Sequence, residues 1–208
     1  MKTYPERVKI FRRNERFFRK EGFKFPIADK LIKLAFLDVW DIYHLFYFAK
    51  RIPNWGTYLE IGGYKGGSVL CAFEASRVAG TTVNFITIDC EVSWLSFEHV
   101  GVIPDLRIIG ARSDVAHKRI ERNSADLLFI DGAHHYKQVR RDIKNYWPKL
   151  KPGGILLGHD YSNRPIHRGV VKAADELFGK KLTVLKNSRV FIVKKSGKRL
   201  TKTKGNLK

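Results

Sequence analysis

Between Thr57 and Val193 the chain alternates between two kinds of apolar run. Thr57–Ile61, Asn84–Asp89, Leu106–Ile109, Leu127–Asp131 and Gly154–Gly158 are short and almost continuously apolar, as expected of strands covered on both faces. Between them, Ser68–Val78, a short piece near Leu95–Val100, Asp114–Arg122, Lys137–Leu150 and Val170–Phe178 carry apolar residues at helical spacing. Strand–helix alternation predicts a doubly wound, parallel sheet. The alternation stops at Leu182–Leu185 and Val190–Val193, which are separated only by Lys186-Asn187-Ser188-Arg189. A link that short cannot cross over a sheet, so these two strands form an antiparallel hairpin. The expectation is an α/β fold of seven strands, mostly parallel, with a C-terminal antiparallel hairpin.

Ahead of the first strand the periodicity is helical throughout. Residues 5–24 read as a basic helix with Val8, Phe11 and Phe18 on one face and Ile10 and Phe17 beside it. Such a helix packs on its own domain or lies on an anionic surface. Gly22 and Pro26 interrupt it. A second helix is predicted from Ile27 to about Lys50 through Leu31, Leu34, Ala35, Ile42, Leu45, Phe46 and Ala49, with Asp38 as a polar break and Pro53 beyond its end. The organisation expected is a helical extension over 1–50, a sheet domain over 51–195 and a basic, disordered tail over 196–208.

Charge sharpens this division. Of the formal +20, residues 1–24 carry nine Lys/Arg against three acids and residues 194–208 carry seven against none. Basic ends suit contact with nucleic acid or another anionic surface, or serve solubility alone. The stretch Ile27–Ala49 contains Asp29, Lys30, Lys33, Asp38, Asp41 and His44 and is no membrane span. The N-terminus lacks the apolar core and cleavage site of a signal peptide. Cys71 and Cys90, unpatterned and in apolar surroundings, read as small core residues. The expected setting is cytoplasmic.

Tyr58-Leu59-Glu60-Ile61 runs straight into Gly62-Gly63-Tyr64-Lys65-Gly66-Gly67, and Ser68 opens the next helix. In open α/β sheets ligands sit at the carboxyl ends of the strands, where a glycine bend lets them approach bare backbone. Tyr64 breaks the G-x-G-x-x-G of dinucleotide binders, and no Gly-Lys-Ser/Thr ending of a P-loop is present. Asp89 ends the second strand, where a carboxylate accepts hydrogen bonds from both hydroxyls of a ribose. Trp94 is placed to cover an adenine face or to fill core, and Ser113, with Asp114 a candidate helix cap, is placed to flank the adenine edge. The candidate cofactor set is Glu60, Gly62, Gly63, Gly66, Ser68, Asp89, Trp94, Ser113 and Asp131.

Glu60-x-Gly62-x-x-x-Gly66, Asp89 and the terminal hairpin together resemble a class I S-adenosylmethionine-dependent methyltransferase of Rossmann-like fold. Asp131-Gly132-x-His134-x-Tyr136 and Lys151-Pro152-Gly153-Gly154 leading to His159-Asp160 narrow the resemblance to the branch with cephalosporin-hydroxylase-like proteins and macrolide-sugar O-methyltransferases. It covers roughly residues 40–193.

Asp131 and Asp160 end adjacent strands, and two carboxylates that close repel unless a cation joins them. In the resembled enzymes acids at these strand ends hold a divalent metal such as Mg²⁺ or Mn²⁺, which implies a site at Asp131, His159 and Asp160. His159 stands where those relatives commonly have an acid, and imidazole favours Zn²⁺, Mn²⁺ or Fe²⁺ over Mg²⁺. His134, with a pKa suited to accepting a hydroxyl proton, is the candidate general base, with Asp131 beside it and His135 as competitor. The resemblance assigns the same role to His134.

The function expected is methylation of a hydroxyl on a small or sugar-like acceptor, possible with or without metal. A nucleic-acid methyltransferase and a non-enzymatic binding module are the alternatives. Tyr64 and the hairpin argue against a dehydrogenase.

Overall fold

The computed structural model describes residues 2–96 and 100–197. Seven strands form one sheet in the order β3-β2-β1-β4-β5-β7-β6. They are β1 (Gly56–Ile61), β2 (Val83–Asp89), β3 (Arg107–Gly110), β4 (Ala125–Ile130), β5 (Leu150–Gly158), β6 (Thr183–Val184) and β7 (Phe191–Lys194). β1 to β5 are mutually parallel, and β7 pairs antiparallel with both β5 and β6. The Rossmann-like sheet with its terminal hairpin is therefore present. Strand order reverses between β1 and β4, the switch point where such sheets open a crevice.

Alternation along the strands divides the core into two layers. Tyr58, Leu127, Phe129 and Leu157 face one cluster, and Leu59, Ile61, Leu128, Ile130 and Leu156 face the other, as the two-residue period of a strand requires. Helices α6 (Tyr136–Tyr146) and α7 (Arg168–Phe178) cover the second face. α4 (Gly67–Ala79) covers the first, together with α1 (Tyr4–Phe18), α2 (Phe25–Leu34) and α3 (Val39–Ala49). Phe11, Phe18 and Phe23 are fully buried and in mutual ring contact, so α1 packs on its own domain. Among the described residues no helix is long and apolar enough to cross a membrane.

Several local expectations are corrected. The helix from Ile27 to Lys50 is two helices, because Ala35 is extended and Asp38 N-caps α3, whose third residue, Asp41, reaches back to the Asp38 backbone N–H at 3.2 Å. The helix expected over Asp114–Arg122 is a short α5 (Ser113–Ala116) and one 3-10 turn (His117–Arg119). Its N-cap is Arg112; Ser113 turns its hydroxyl to Asp142 instead (2.6 Å). Cys71 is core, but Cys90 is exposed. The tail beyond residue 197 and residues 97–99 of the helix expected near Leu95–Val100 lie outside the described residues.

Candidate active site

The parallel ladder determines what reaches the upper edge of the sheet. Gly62 N–H bonds the Ile88 carbonyl, Asp131 N–H the Ile61 carbonyl and His159 N–H the Ile130 carbonyl, each at 2.9–3.0 Å. Asp89, the last residue of β2, pairs with Gly110. Asp89, Gly62, Asp131 and His159 thus follow one another along this edge. They border a cavity of about 820 Å³ that is also lined by Gly62, Gly63, Ser68, Trp94, Ser113, His134 and Asp160.

The glycine bend is shaped by close backbone approach. Gly62 holds φ +94°, and a Cβ there would lie 2.2 Å from the Asp131 carbonyl oxygen. A Cβ on Gly63 would meet the Thr87 hydroxyl at 2.3 Å. Asp89 fastens the bend from the side: one carboxylate oxygen accepts the Tyr64 N–H (2.8 Å) and the other the Glu91 N–H (2.9 Å). Each oxygen retains further acceptor capacity, and Asp89 lines the cavity.

Two members of the expected cofactor set serve the loop rather than the cavity wall. Gly66 caps α4 at φ +85°. Glu60 is fully buried beneath the bend, accepting hydrogen bonds from Tyr58 (2.8 Å), Thr87 (2.6 Å) and Ser68. Burial pushes its carboxyl pKa up to about 7 despite these donors. At the opposite wall, Ser113 and Gln138 both bond the buried Asp142 (2.6 and 2.9 Å), whose pKa is raised by burial. Trp94, about half exposed, is not core; it meets Tyr64 edge-on at the rim (5.5 Å), and Tyr64 meets Phe36 (4.9 Å).

The acidic end of the cavity is a dense polar network. His159 is 4% exposed, with Nδ1 3.0 Å from Asp131 Oδ1 and 3.4 Å from Asp160 Oδ1, and Nε2 3.0 Å from Asp41 Oδ2. Desolvation alone would depress its pKa, but the facing carboxylates raise it well above the ordinary value. Asp160, at φ +59°, bonds Arg189 Nη1 (2.7 Å) and His134 Nε2 (2.8 Å). Although burial opposes it, the bonds from His134 and His159 and the charges of His159 and Arg189 hold the Asp160 pKa far below the carboxylate range. His134 answers with a raised pKa, chiefly through its bond to Asp160. His167 adds a contact to Asp160 at 3.4 Å and takes a bond with Ser162 (2.6 Å).

His134 and His135 part as adjacent residues must. His134 lines the cavity, whereas His135 is exposed and occupies the N-cap of α6. Asp41, Arg189 and His167 were not among the candidates. Asp41 counted only among the charged residues that exclude a membrane span over Ile27–Ala49, and Arg189 as part of the hairpin link. An acid within an apolar helix, a guanidinium in the link and a histidine ahead of α7 were their only signals in the sequence.

Comparison with known proteins bears on the fold and the family. Residues 59–161 match the family model described as a methyltransferase domain. An uncharacterised protein, y4gI, of Sinorhizobium fredii is 28% identical over 54% of this chain and 14% of its own length. The chain spans about half or less of the curated relatives it matches. Among solved structures, the O-methyltransferase NovP superposes with a TM-score of 0.63 at 14% identity, covering 85% of this chain and 86% of NovP. The SAH-bound methyltransferase PaMTH1 of Podospora anserina gives 0.59 at 18% identity, covering 86% of each chain.

Proposed function

We propose that this chain, a class I S-adenosylmethionine-dependent methyltransferase, moves the sulfonium methyl group to a hydroxyl oxygen of a small acceptor held at the acidic end of the cavity. The observation that carries the reading is the shared cavity: a glycine bend fastened by Asp89 at one end and the His134–Asp160 pair at the other. Asp89 is the ribose-binding carboxylate, Trp94 and Ser113 border the adenine, and Gly62 and Gly63 let the methionine portion lie against backbone. The likeness to NovP supports oxygen as the acceptor atom.

The sulfonium is already activated, so the protein aligns donor and acceptor and removes one proton. His134 Nε2 is committed to Asp160, which leaves Nδ1 to take the hydroxyl proton. As that proton leaves, the oxygen lone pair forms the O–CH₃ bond and the C–S bond breaks to give S-adenosylhomocysteine. Asp160 stabilises the imidazolium so formed, and Arg189 holds Asp160 in place.

The donor set also fits a divalent ion. Ligand atoms about 2.1 Å from one octahedral ion lie about 3 Å apart, and Asp131 Oδ1 and Asp160 Oδ1 lie 3.0 and 3.4 Å from His159 Nδ1. One imidazole and two carboxylates favour Mn²⁺, Fe²⁺ or Zn²⁺ over Mg²⁺. Such an ion would supply Lewis acidity toward an acceptor hydroxyl.

Mass spectrometry of reactions containing S-adenosylmethionine and a panel of small hydroxylated molecules tests the reading. O-methylated product that disappears with His134→Ala is expected. Methylation confined to nitrogen or carbon acceptors, or full activity in His134→Ala, would overturn it. Retained turnover after exhaustive chelation would instead assign charge balance to His159 and Arg189 without an ion.

A further inference from the structure

Asp41 lies outside residues 59–161, the segment shared with the methyltransferase family, yet it is among the most buried acids of the molecule at 1% exposure. Its side chain is held from two directions. The first turn of α3 contributes the Asp38 N–H to Oδ2 (3.2 Å). The link before β7 contributes the Ser188 hydroxyl (2.7 Å) and the Arg189 N–H (2.9 Å) to Oδ1, with Arg189 Nη2 3.4 Å from Oδ2. The remaining partner of Oδ2 is His159 Nε2, at 3.0 Å.

We propose that Asp41 is a positioning residue of the site formed by Asp131, His159 and Asp160: it commits His159 Nε2 as a donor and so turns Nδ1, as a metal-binding lone pair, toward the two carboxylates. The proposal rests on the reading of those three side chains as a divalent-metal site. An ionised carboxylate oxygen can only accept, so Nε2, 3.0 Å from Oδ2, must donate. Asp41 therefore selects the Nε2–H form of a neutral His159 ring, in which Nδ1 carries the lone pair. A carboxylate on the outer nitrogen also raises the basicity of the ligating nitrogen and fixes the ring plane. The helices preceding the family domain thereby complete its site. Arg189 reinforces the arrangement by contacting both Asp41 and Asp160.

Asp41→Asn tests this with little change of volume. The two shorter bonds, from Ser188 and the Arg189 N–H, keep the amide oxygen at the Oδ1 place, so the NH₂ group faces Nε2. Two donors then oppose each other, and the neutral ring turns to the Nδ1–H form, whose proton blocks the ion. Loss of such an outer partner lowers metal affinity about 10–100-fold. The experiment titrates the full-length, metal-stripped chain with Co²⁺ while recording its visible spectrum, with calorimetric binding of S-adenosylhomocysteine as a parallel readout.

The expected result is a ligand-field spectrum in the unaltered chain, Co²⁺ affinity about 10–100-fold weaker in Asp41→Asn, and S-adenosylhomocysteine affinity within about twofold. Ser188→Ala, which spares the contact to His159, should bind Co²⁺ nearly as the unaltered chain does. Equal Co²⁺ affinity in Asp41→Asn and the unaltered chain overturns the positioning role and leaves the metal reading standing. No Co²⁺ binding by the unaltered chain overturns both. If Asp41→Asn does not fold, Asp41→Glu, which retains charge but displaces the carboxylate, carries the same comparison with the same deciding outcomes.

Discussion

Gly62 and Gly153 allow the close approach at the glycine bend to be separated from backbone strain. Both hold positive φ, +94° and +83°. A Cβ at Gly153 meets nothing within 4 Å, whereas one at Gly62 would lie 2.2 Å from the Asp131 carbonyl oxygen and 2.8 Å from Gly132 N. Gly153→Ala therefore carries only the cost of a left-handed L-residue, about 1–2 kcal/mol. Gly62→Ala adds the displacement of packed backbone, about 1–3 kcal/mol, for a total of about 2–5 kcal/mol. Since 1 kcal/mol corresponds to roughly 2–4 °C in Tm at this chain length, the two variants separate clearly. The displaced atoms belong to Asp131, so Gly62→Ala should also weaken S-adenosylhomocysteine binding, while Gly153→Ala leaves it unchanged. Urea unfolding at constant m-value and calorimetry measure both quantities. Equal destabilisation of the two variants with unchanged affinity in Gly62→Ala would refute the reasoning.

Further outcomes follow from the acidic network. His134→Gln should lower kcat about 10²–10⁴-fold with little change in S-adenosylmethionine affinity, measured by steady-state kinetics and calorimetry. The His134 pKa is raised by Asp160 and the base must be neutral to accept a proton, so kcat should climb with pH through a value above the usual histidine range. Asp160→Asn should move that limb to lower pH. For Co²⁺ or Mn²⁺, a proton held on His159 by its carboxylates competes with the ion, so affinity should increase with pH; a flat pH titration would contradict this.

The strand ends were legible because a parallel ladder carries the residue after each apolar run to one edge. That placed Asp89, Asp131 and Asp160 at one edge from spacing, while His159 entered through the family resemblance. The division of labour within the glycine segment was not legible. Glu60 and Ser68 are neighbours of the bend in sequence, but whether a side chain faces ligand or core depends on the layer above it, and Glu60 faces Tyr58 and Thr87. Asp41 was hidden for a related reason. Helical periodicity described its apolar neighbours well, and its partners come from the residue after β5 and from the link before β7, more than a hundred residues away. The break at Asp38 was visible as a polar position; that it starts a new helix followed from the capping geometry.

Binding of S-adenosylmethionine to the full-length chain, measured by calorimetry beside Asp89→Ala, decides whether the cavity is what its wall implies. One equivalent bound by the unaltered chain, with affinity lost on removal of the Asp89 carboxylate and no response to NADH, is the predicted result. Absence of binding by the unaltered chain, or identical affinity in Asp89→Ala, would contradict the assignment.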